Sequence, residues 1–375
     1  MNRTIRHLRI LGTRGIPAQH GGFETFAQEC ALFMYKRGWK VTVYCQESGN
    51  GPITEDNWQG VRRIHIPVNR SGPLSTMIFD WRAIRHAGRE QGLVLCLGYN
   101  TALFNAWLCL KGFPVIMNMD GIEWKREKWS KPAKIWFYLN EKAAPHLSAH
   151  LIADNPGIAD HLRSRFHHTP LTTIPYGAPL LADISAAPLA QYNLAGNDYI
   201  LIIARPEPEN SILEIVQAFT ARPRVQRLVI LGNYSKTHTY QKCILDAAND
   251  RVLFCGAIYD QGIVASLRYH CLFYLHGHTV GGTNPSLVEA MGAGNAVLAH
   301  DNRFNRWVTG PEAARFFQNQ SECLTQMDEM LASSTTILRM KEASRKRFLE
   351  AFTWEKVLHA YETCFNRYLN ENNHS

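Results

Sequence analysis

The residues of this chain with the clearest chemical potential lie in glycine-rich stretches between apolar runs and helical patterns. The stretch "LGTRGIPAQHGGFETF", which begins at Leu11, contains four glycines and a single acidic residue, Glu24. Main-chain N–H groups near a helix N-terminus bind phosphate, and glycine lets the backbone approach a ligand closely. The stretch is therefore either a phosphate-binding loop with Gly15, Gly21 and Gly22, or a tight strand-to-helix turn without a ligand.

A second glycine-rich stretch, "VGGTNPSLVEAMGAG", leads into a helical pattern that carries Glu289. Small polar residues are favoured at helix N-termini, where the amides of the first turn have no partner within the helix. Glu289 follows about one and a half turns later, beyond the reach of the helix dipole, so we expect it to accept hydrogen bonds from a ribose. The predicted diphosphate site consists of Gly281, Gly282, Thr283, Asn284 and Ser286.

Arg205 directly follows the apolar run "YILIIA". An arginine at the end of a buried strand can make bidentate contacts with phosphate oxygens, although it could also pair with Glu207 or Glu209. Neither the Gly-x-Gly-x-x-Gly pattern of dinucleotide-binding domains nor the Gly-Lys-Ser/Thr pattern of phosphate-binding loops is present. The sequence thus argues against dehydrogenases and nucleotide hydrolases.

Two carboxylates, Asp120 and Glu123, lie in "NMDGIEWKREKW", which follows another apolar run. Asp120 is the first candidate for a catalytic or ligand-binding role, and Glu123 is the second. Because Asp-Gly favours turns, Asp120 could instead be only a turn residue before Gly121. Glu24 has three open roles: it could cap its own helix, orient the glycine loop or contact substrate.

The elements that must position these residues follow an alternating strand and helix pattern. Seven short apolar runs are predicted as strands before residue 175, with helices such as Phe23–Arg37 and Pro132–Leu147 between them. Five more predicted strands follow from Tyr199. This pattern is typical of parallel sheets with helices on both faces, in which ligands bind at the carboxyl ends of the strands.

The predicted fold class is therefore α/β, with two Rossmann-like doubly wound domains that face a cleft. We expect an N-terminal domain at 1–175 and a linker rich in proline, alanine and glycine at 176–198. A second domain is expected at 199–353. The last segment, 354–375, is a helix that could return to the N-terminal domain.

Composition fits a two-domain globular protein. The chain has 375 residues, of which 46% are hydrophobic and 19% charged. We find neither a signal peptide nor an apolar run of the roughly 18 residues that a spanning helix needs, so a cytoplasmic location is expected. The nine cysteines form no Cys-x-x-Cys pair and are expected to be free thiols, and "HGH" at His276 and His278 lacks the further ligands of a metal site.

Positive charge is concentrated in the first half of the chain. Residues 1–174 contain 22 Lys and Arg against 13 Asp and Glu, which leaves 18 against 19 for the remainder. The run "EWKREKWSKPAKIWFYLNEK" interleaves these cations with tryptophan. Such a segment suits peripheral attachment to an anionic membrane face, or it is a surface helix with a buried aromatic stripe. No nucleic-acid-binding pattern is present.

Three motifs in their order along the chain resemble glycosyltransferase family 4, whose members are retaining enzymes of GT-B fold. The first, "HGGFE" (His20–Glu24), is similar to the family's Gly-Gly-x-Glu loop, and the second, "ARPEPEN" (Ala204–Asn210), to its Gly-Arg-x-x-x-x-Lys segment. The third, "GGTNPSLVEAMGAGNAVLA", resembles the Glu-x7-Glu region. Within the family, "GTRGIPAQHGGFETF", "DGIEWKREKW" and "HTVGGTNPSLVEAM" resemble bacterial rhamnosyltransferases of polysaccharide assembly.

This resemblance implies a nucleotide-sugar donor, dTDP-rhamnose, with its diphosphate on the second domain and no requirement for a bound metal. It also implies a saccharide acceptor, which a polyprenyl diphosphate could carry at the inner membrane surface. Two positions depart from the family pattern: Asn210 stands at its lysine, and Gly281 at its first glutamate. Asn210 removes one cation from the donor site, and Gly281 removes a contact to sugar hydroxyls.

Other functions remain open at this point. The same architecture could take a UDP- or GDP-sugar, or could belong to an epimerase. A phosphorylase would need a cofactor lysine pattern, which is absent. The departures at Asn210 and Gly281 also fit a catalytically inactive protein that binds membranes or anions.

Overall fold

The computed structural model describes residues 6–19 and 21–371, which form two compact units. The first unit takes the chain up to Pro175 and again from Glu355, and the second takes Tyr176–Trp354. Each unit contains one sheet with helices packed around it. The last helix of the chain therefore belongs to the first unit.

The strands and helices alternate along most of the chain. The strands are β1 (His7–Leu11), β2 (Lys40–Ser48), β3 (Thr54–Trp58), β4 (Val61–Val68), β5 (Leu93–Leu97), β6 (Val115–Asn118), β7 (His150–Ala153), β8 (Leu171–Thr173), β9 (Tyr199–Ile203), β10 (Arg227–Leu231), β11 (Val252–Phe254), β12 (Tyr274–His276), β13 (Val297–His300) and β14 (Ala314–Phe317). The helices are α1 (Gly22–Lys36), α2 (Gly72–Ala87), α3 (Ala106–Leu110), α4 (Lys131–Ala143), α5 (Pro156–Arg163), α6 (Ile212–Thr220), α7 (Thr239–Ala247), α8 (Gln261–Tyr269), α9 (Pro285–Gly292), α10 (Arg303–Thr309), α11 (Gln320–Leu331), α12 (Ser334–Ala351) and α13 (Trp354–Glu371). Short 3-10 helices span Ala102–Asn105, Glu123–Lys125, Ala144–His146, Ala187–Tyr192 and Pro208–Asn210. Within the described ranges, no helix is long and apolar enough to cross a bilayer.

The sheet of the first unit has eight strands in the order β3-β4-β2-β1-β5-β6-β7-β8. All neighbours are parallel except β3 and β4, which pair antiparallel at one edge. Every residue of the central strands β1 and β5 is buried, because helices cover both faces of a parallel sheet. The order reverses between β1 and β5, so the loops that follow these two strands lie side by side at the carboxyl edge.

The sheet of the second unit has six parallel strands in the order β11-β10-β9-β12-β13-β14. This is the doubly wound order of dinucleotide-binding folds, with its topological switch point between β9 and β12. Ligands of such sheets bind outside the carboxyl ends of the strands at that point. The loop that contains Arg205 follows β9, and the loop that contains Gly281 follows β12.

Helix α13 completes the first unit. Tyr361 is fully buried and accepts a hydrogen bond from the Asn118 side chain at 2.8 Å, and the Trp39 indole N–H donates to Glu362 at 3.4 Å. The Tyr368 hydroxyl lies 3.0 Å from Nδ1 of His150, at the start of β7. The chain thus returns to the first unit after the second one is built.

Three features of the fold differ from the pattern in the sequence. The stretch 176–198 is not an open linker: Leu189 and Leu194 pack into the core of the second unit, and its 3-10 helix contacts α8. Strand β3 (sequence TEDNW) is largely exposed at the sheet edge, so it lacks the apolar run that marked the other strands. Strand β14 (ARFF) is short and half-exposed.

Candidate functional site

The loop after β1 is shaped by close packing at the carboxyl edge of the first sheet. Gly12 has a φ of +80°, and a Cβ there would lie 2.1 Å from the carbonyl oxygen of Leu97 in β5. Gly15 has a φ of +123°, and its Cβ would lie 2.7 Å from Sγ of Cys45 in β2. Both glycines are therefore needed by the fold itself, whether or not a ligand approaches.

Gly21 and Gly22 lie at the start of α1, where Gly21 is the N-cap residue in extended conformation. No side chain caps this helix among the residues described, so the first N–H groups of α1 remain available to an acceptor. Glu24 is 9% exposed, and its Oε1 accepts a hydrogen bond from the Arg14 amide at 3.2 Å. Glu24 thus holds the two ends of the loop together. His20, which is part of the motif, lies outside the described residues.

A cavity of about 1060 Å³ opens in the first unit beside this loop. Sequence reasoning did not find it, because its walls come from segments far apart in the chain. They are the loop after β1, the end of β2, the first turns of α2, the loop after β5 and α4, with the side chains of Trp129 and Trp136. Arg14 and Arg70 also line it, and neither makes an ion pair with another described residue.

The two candidate carboxylates after β6 have different environments. The Glu123 carboxylate is buried and accepts hydrogen bonds from Arg126 at 2.8 Å and from the Trp129 indole at 2.9 Å. Asp120 lies in the left-handed region with a φ of +54°, and its amide donates to Asn118 at 2.9 Å. Burial and the nearby charge of Glu123 raise the pKa of Asp120 to about 6. Glu123 is thus committed to its loop, whereas Asp120 is the carboxylate with an unusual proton affinity.

In the second unit, Arg205 lies at the switch point. Its side chain is exposed and forms no ion pair within the described part of the chain, so it is not a partner of Glu207 or Glu209. Asn210 is 5% exposed, and its side-chain amide donates to the Arg205 carbonyl at 2.8 Å. Asn210 therefore closes the Arg205 loop and does not extend outward as a lysine would.

The loop after β12 is tied to the Arg205 loop. The amide and hydroxyl of Thr279 donate to the Glu209 carbonyl at 2.9 and 3.0 Å. Gly281 has a φ of +114°, and no atom lies within 4 Å of the position that a Cβ would take. The sequence motifs of both loops thus meet at the switch point, with open space at Gly281.

The N-terminus of α9 is capped by its own residues. Oδ1 of Asn284 accepts hydrogen bonds from the amide and the hydroxyl of Ser286, at 3.0 and 2.9 Å. The Ser286 amide is therefore already used, while Gly282 is half-buried and Thr283 is 3% exposed. This end therefore offers loop amides and the helix dipole, the features that bind anions at helix N-termini in general.

Glu289 forms an ion pair with Arg268 of α8, which is 8% exposed. No pattern in the sequence predicts this partner, since the two residues lie on different helices. A carboxylate next to an anion site is unfavourable alone, and Arg268 compensates its charge. The pair also fixes the direction of the Glu289 side chain.

His276, at the end of β12, is a further polar group at this edge. It is 1% exposed, and neither ring nitrogen has a hydrogen-bond partner among the residues described. Its ring stacks on that of His278 with centroids 4.3 Å apart. Burial, His278 and His300 lower the pKa of His276 well below its usual range, so the imidazole is neutral. No set of three or more His, Cys, Asp or Glu suited to a metal occurs in the described ranges.

Comparison with known structures identifies the architecture as the GT-B fold of glycosyltransferases. Sucrose-phosphate synthase from Thermosynechococcus elongatus matches with a TM-score of 0.80 and 18% identity, over 98% of this chain and 100% of that one. HepE from Anabaena, in complex with UDP and glucose, matches with a TM-score of 0.77 and 12% identity, over 96% and 99%. An α,α-trehalose-phosphate synthase (UDP-forming) from Burkholderia xenovorans, in complex with glucose-6-phosphate, matches with a TM-score of 0.72 and 12% identity, over 97% of this chain and 100% of that one.

Comparisons by sequence are less informative. Residues 5–179 match the model of a domain of unknown function, DUF1972. No curated protein matches the chain. The structural similarity, at these low identities, establishes the fold, and the chemistry has to be argued from the residues of the site.

Proposed function

We propose that this protein is a retaining glycosyltransferase that moves L-rhamnose from dTDP-rhamnose to a lipid-linked saccharide acceptor in cell-surface polysaccharide synthesis. The observation that carries the proposal is the switch point of the second unit. There Arg205, which is exposed and has no ion pair among the described residues, lies beside the glycine loop and the N-terminus of α9. This combination suits a nucleotide diphosphate, which needs positive charge and main-chain donors.

The chemistry requires stabilisation of the departing diphosphate. As the bond between the sugar C1 and the phosphate oxygen breaks, negative charge grows on that oxygen. We propose that Arg205 and the amides around Gly282 stabilise this charge, an electrostatic contribution that is the largest one in many enzymes. Glu289, held by Arg268, is proposed to accept hydrogen bonds from the ribose hydroxyls.

The cavity of the first unit is proposed to bind the acceptor saccharide. Two indole rings give it apolar walls, and Arg14 and Arg70, which have no ion pair among the described residues, add polar groups, as is usual for small-molecule sites. Asp120 is proposed to contact the acceptor hydroxyl or the donor sugar, because its raised pKa of about 6 allows it to exchange a proton near neutral pH.

Rhamnose as the donor sugar is supported by the motifs that resemble rhamnosyltransferases. The absence of a side chain at Gly281 is compatible with a sugar that lacks the 6-hydroxyl group, since one potential hydrogen-bonding partner is missing. A second candidate, the same reaction with a UDP-sugar, is favoured by the UDP complex of HepE.

Thermal unfolding with a panel of nucleotides tests the proposal. A ligand that binds only the folded protein stabilises it by about 2.7 kcal/mol at a hundred times its Kd. We expect dTDP and dTDP-rhamnose to raise the Tm more than UDP, UDP-glucose or GDP. Arg205→Ala should weaken dTDP binding at least about tenfold, the effect of one lost charge-assisted contact.

Arg345→Ala is the matched control, because Arg345 is an exposed arginine of α12 without an ion pair among the described residues. It should leave the response to dTDP unchanged. A response to UDP alone would replace the donor and keep the reaction. No response to any nucleotide from folded protein would refute the proposal and favour an inactive binding protein.

A further inference from the structure

Large exposed apolar side chains are concentrated on adjacent elements of the first unit. These elements are α2, the 3-10 helix Ala102–Asn105, α3 and α4, which pack against one another. Six such side chains, between 39% and 85% exposed, form what we call the apolar patch: Leu74, Trp81, Leu103, Leu110, Ile135 and Leu139. Half of the large apolar side chains exposed in the described chain lie here, so the concentration needs an explanation.

Aromatic rings connect the elements that carry the patch. The Trp81 ring lies 5.5 Å from that of Phe104 and 6.5 Å from that of Trp107, measured between centroids. Phe104 in turn lies 6.3 Å from Trp136 of α4. Trp81 of α2 is thus linked through aromatic rings to the 3-10 helix, α3 and α4, on which four other members of the patch lie.

Helix α4 exposes two of its apolar residues. Ile135 and Leu139, four residues apart on one face, point outward, and the buried face carries Phe137 with the polar residues Asn140 and Glu141. A surface helix normally turns its apolar stripe to the core. Ile135 and Leu139 therefore do not serve the interior of the unit.

The exposed charges on these elements have one sign. Their only carboxylates, Asp80 and Glu141, are 8% and 1% exposed and are satisfied inside the unit, by Thr101 at 2.8 Å and by Arg165 at 3.1 Å. The exposed cations at or next to the patch are Arg85, Lys111, Lys131 and Lys142, and Arg82 and Lys134 are partly exposed. An apolar surface with a basic rim is complementary to a surface that is both apolar and anionic.

We propose that the apolar patch docks onto a bilayer that contains anionic phospholipids. Leucine, isoleucine and tryptophan would enter the headgroup region, and the lysines and arginines would bind lipid phosphates. The first turns of α2 and the Trp136 side chain of α4 also line the 1060 Å³ cavity. A docked protein would thus open its proposed acceptor cavity next to the membrane, and in this respect the inference rests on the proposed function.

A second copy of this chain fits the patch less well than a bilayer. In a two-fold dimer the same surface would face itself, so the lysines of one copy would approach those of the other. Lysine is also depleted in protein interfaces relative to other surfaces. The positive charge of the rim therefore favours an anionic bilayer over a second copy of the chain.

Vesicle flotation of the full chain tests the inference. We expect binding to vesicles of phosphatidylglycerol and phosphatidylcholine, and much less to phosphatidylcholine alone. Leu110→Glu with Ile135→Glu should weaken binding to the mixed vesicles at least about tenfold, because apolar burial and charge both supply the affinity. Lys111→Gln with Lys131→Gln should weaken it about fivefold for each lysine.

The matched control is Val225→Glu with Leu338→Glu, two side chains of the second unit that are 83% and 64% exposed. It changes the net charge equally and should bind vesicles like the unaltered protein. Equal binding by the Leu110 and Ile135 variant, or no binding by the unaltered protein, would overturn the inference. So would a dimer in sedimentation that this variant abolishes. The response to dTDP should survive in all these variants, so a failure here is distinct from a failure of the proposed function.

Discussion

The carboxyl edges of the two sheets use glycine for different physical reasons. After β1, Gly12 and Gly15 allow the chain to pass directly over Leu97 and Cys45, so the loop is part of the packed interior. After β12, a side chain at Gly281 would meet nothing within 4 Å, and the same residue type marks open space. A glycine-rich loop in a sequence therefore indicates close approach of the backbone to something, which can be the protein itself.

The carboxyl edges of the two sheets also differ in their charged groups. The first edge presents Asp120, which has a raised pKa and lies near the buried Glu123. The second edge presents the exposed cation Arg205 and the compensated pair of Arg268 and Glu289. This division matches a proton-exchanging group on one unit and an anion site on the other.

The largest expected effect on the free energy of unfolding is that of a substitution in the loop after β1, at the carboxyl edge of the first sheet. Gly12→Ala places a methyl group 2.1 Å from the Leu97 carbonyl oxygen at a φ of +80°. The backbone has to shift, and we expect the free energy of unfolding to fall by more than about 3 kcal/mol. Urea denaturation of the variant measures this, and a loss of less than about 1 kcal/mol would show that the loop is not tightly packed.

Asp120→Asn is expected to have a smaller effect on the free energy of unfolding, and of opposite sign. The folded-state pKa of about 6 exceeds the ordinary carboxyl value near 4, so the folded protein binds this proton more tightly than the unfolded chain. Asp120 therefore lowers stability progressively as the pH rises from about 4 to about 6. The asparagine variant, which tolerates the left-handed backbone, should be more stable by about 2 kcal/mol at pH 7.

Urea denaturation of both proteins between pH 4 and pH 7 checks this. The difference between them should shrink to well under about 1 kcal/mol near pH 4, where Asp120 is protonated in the folded protein and about half protonated in the unfolded chain. A difference that stays constant with pH would contradict the raised pKa. If Asp120 acts on substrate as proposed, the variant should lose sugar transfer while it gains stability.

The smallest effect is expected at the second edge. Gly281→Ala meets no neighbouring atom, so only the backbone strain at a φ of +114° remains, which costs about 1 kcal/mol. Denaturation in parallel with the Gly12 variant gives the ratio of the two effects. Equal losses at both positions would remove the distinction between a packed and an open glycine loop.

The sequence predicted the sheets well where strands are buried on both faces. Strands such as Leu93–Leu97 read as continuous apolar runs because helices cover them on either side. Strand β3 has no such run, since its side chains are solvent-exposed on a sheet edge. The segment 176–198 resembled a linker because its few apolar anchors, such as Leu189, follow no regular period.

The candidate site was predictable only as far as local motifs reach. Arg205 and the Gly281 loop meet because β9 and β12 are neighbours at the switch point, which the alternating pattern implies. Arg268, the unpaired His276 and the apolar patch depend on contacts between distant segments. Likewise, the partly buried hydrogen bond to the Arg205 carbonyl sets the direction of the Asn210 side chain. No pattern of residue types predicts this bond.

The return of α13 to the first unit has a consequence for biosynthesis. The second unit is complete in sequence once Trp354 has been made, whereas the first, although it begins at the N-terminus, still lacks the helix that carries Tyr361. At ribosomal rates of about 5–20 residues per second, the first sheet waits roughly 10–40 seconds for that helix. During this interval the Trp39 indole and the Asn118 side-chain amide lack the partners that they later find in Glu362 and Tyr361, so this part of the first unit is completed last.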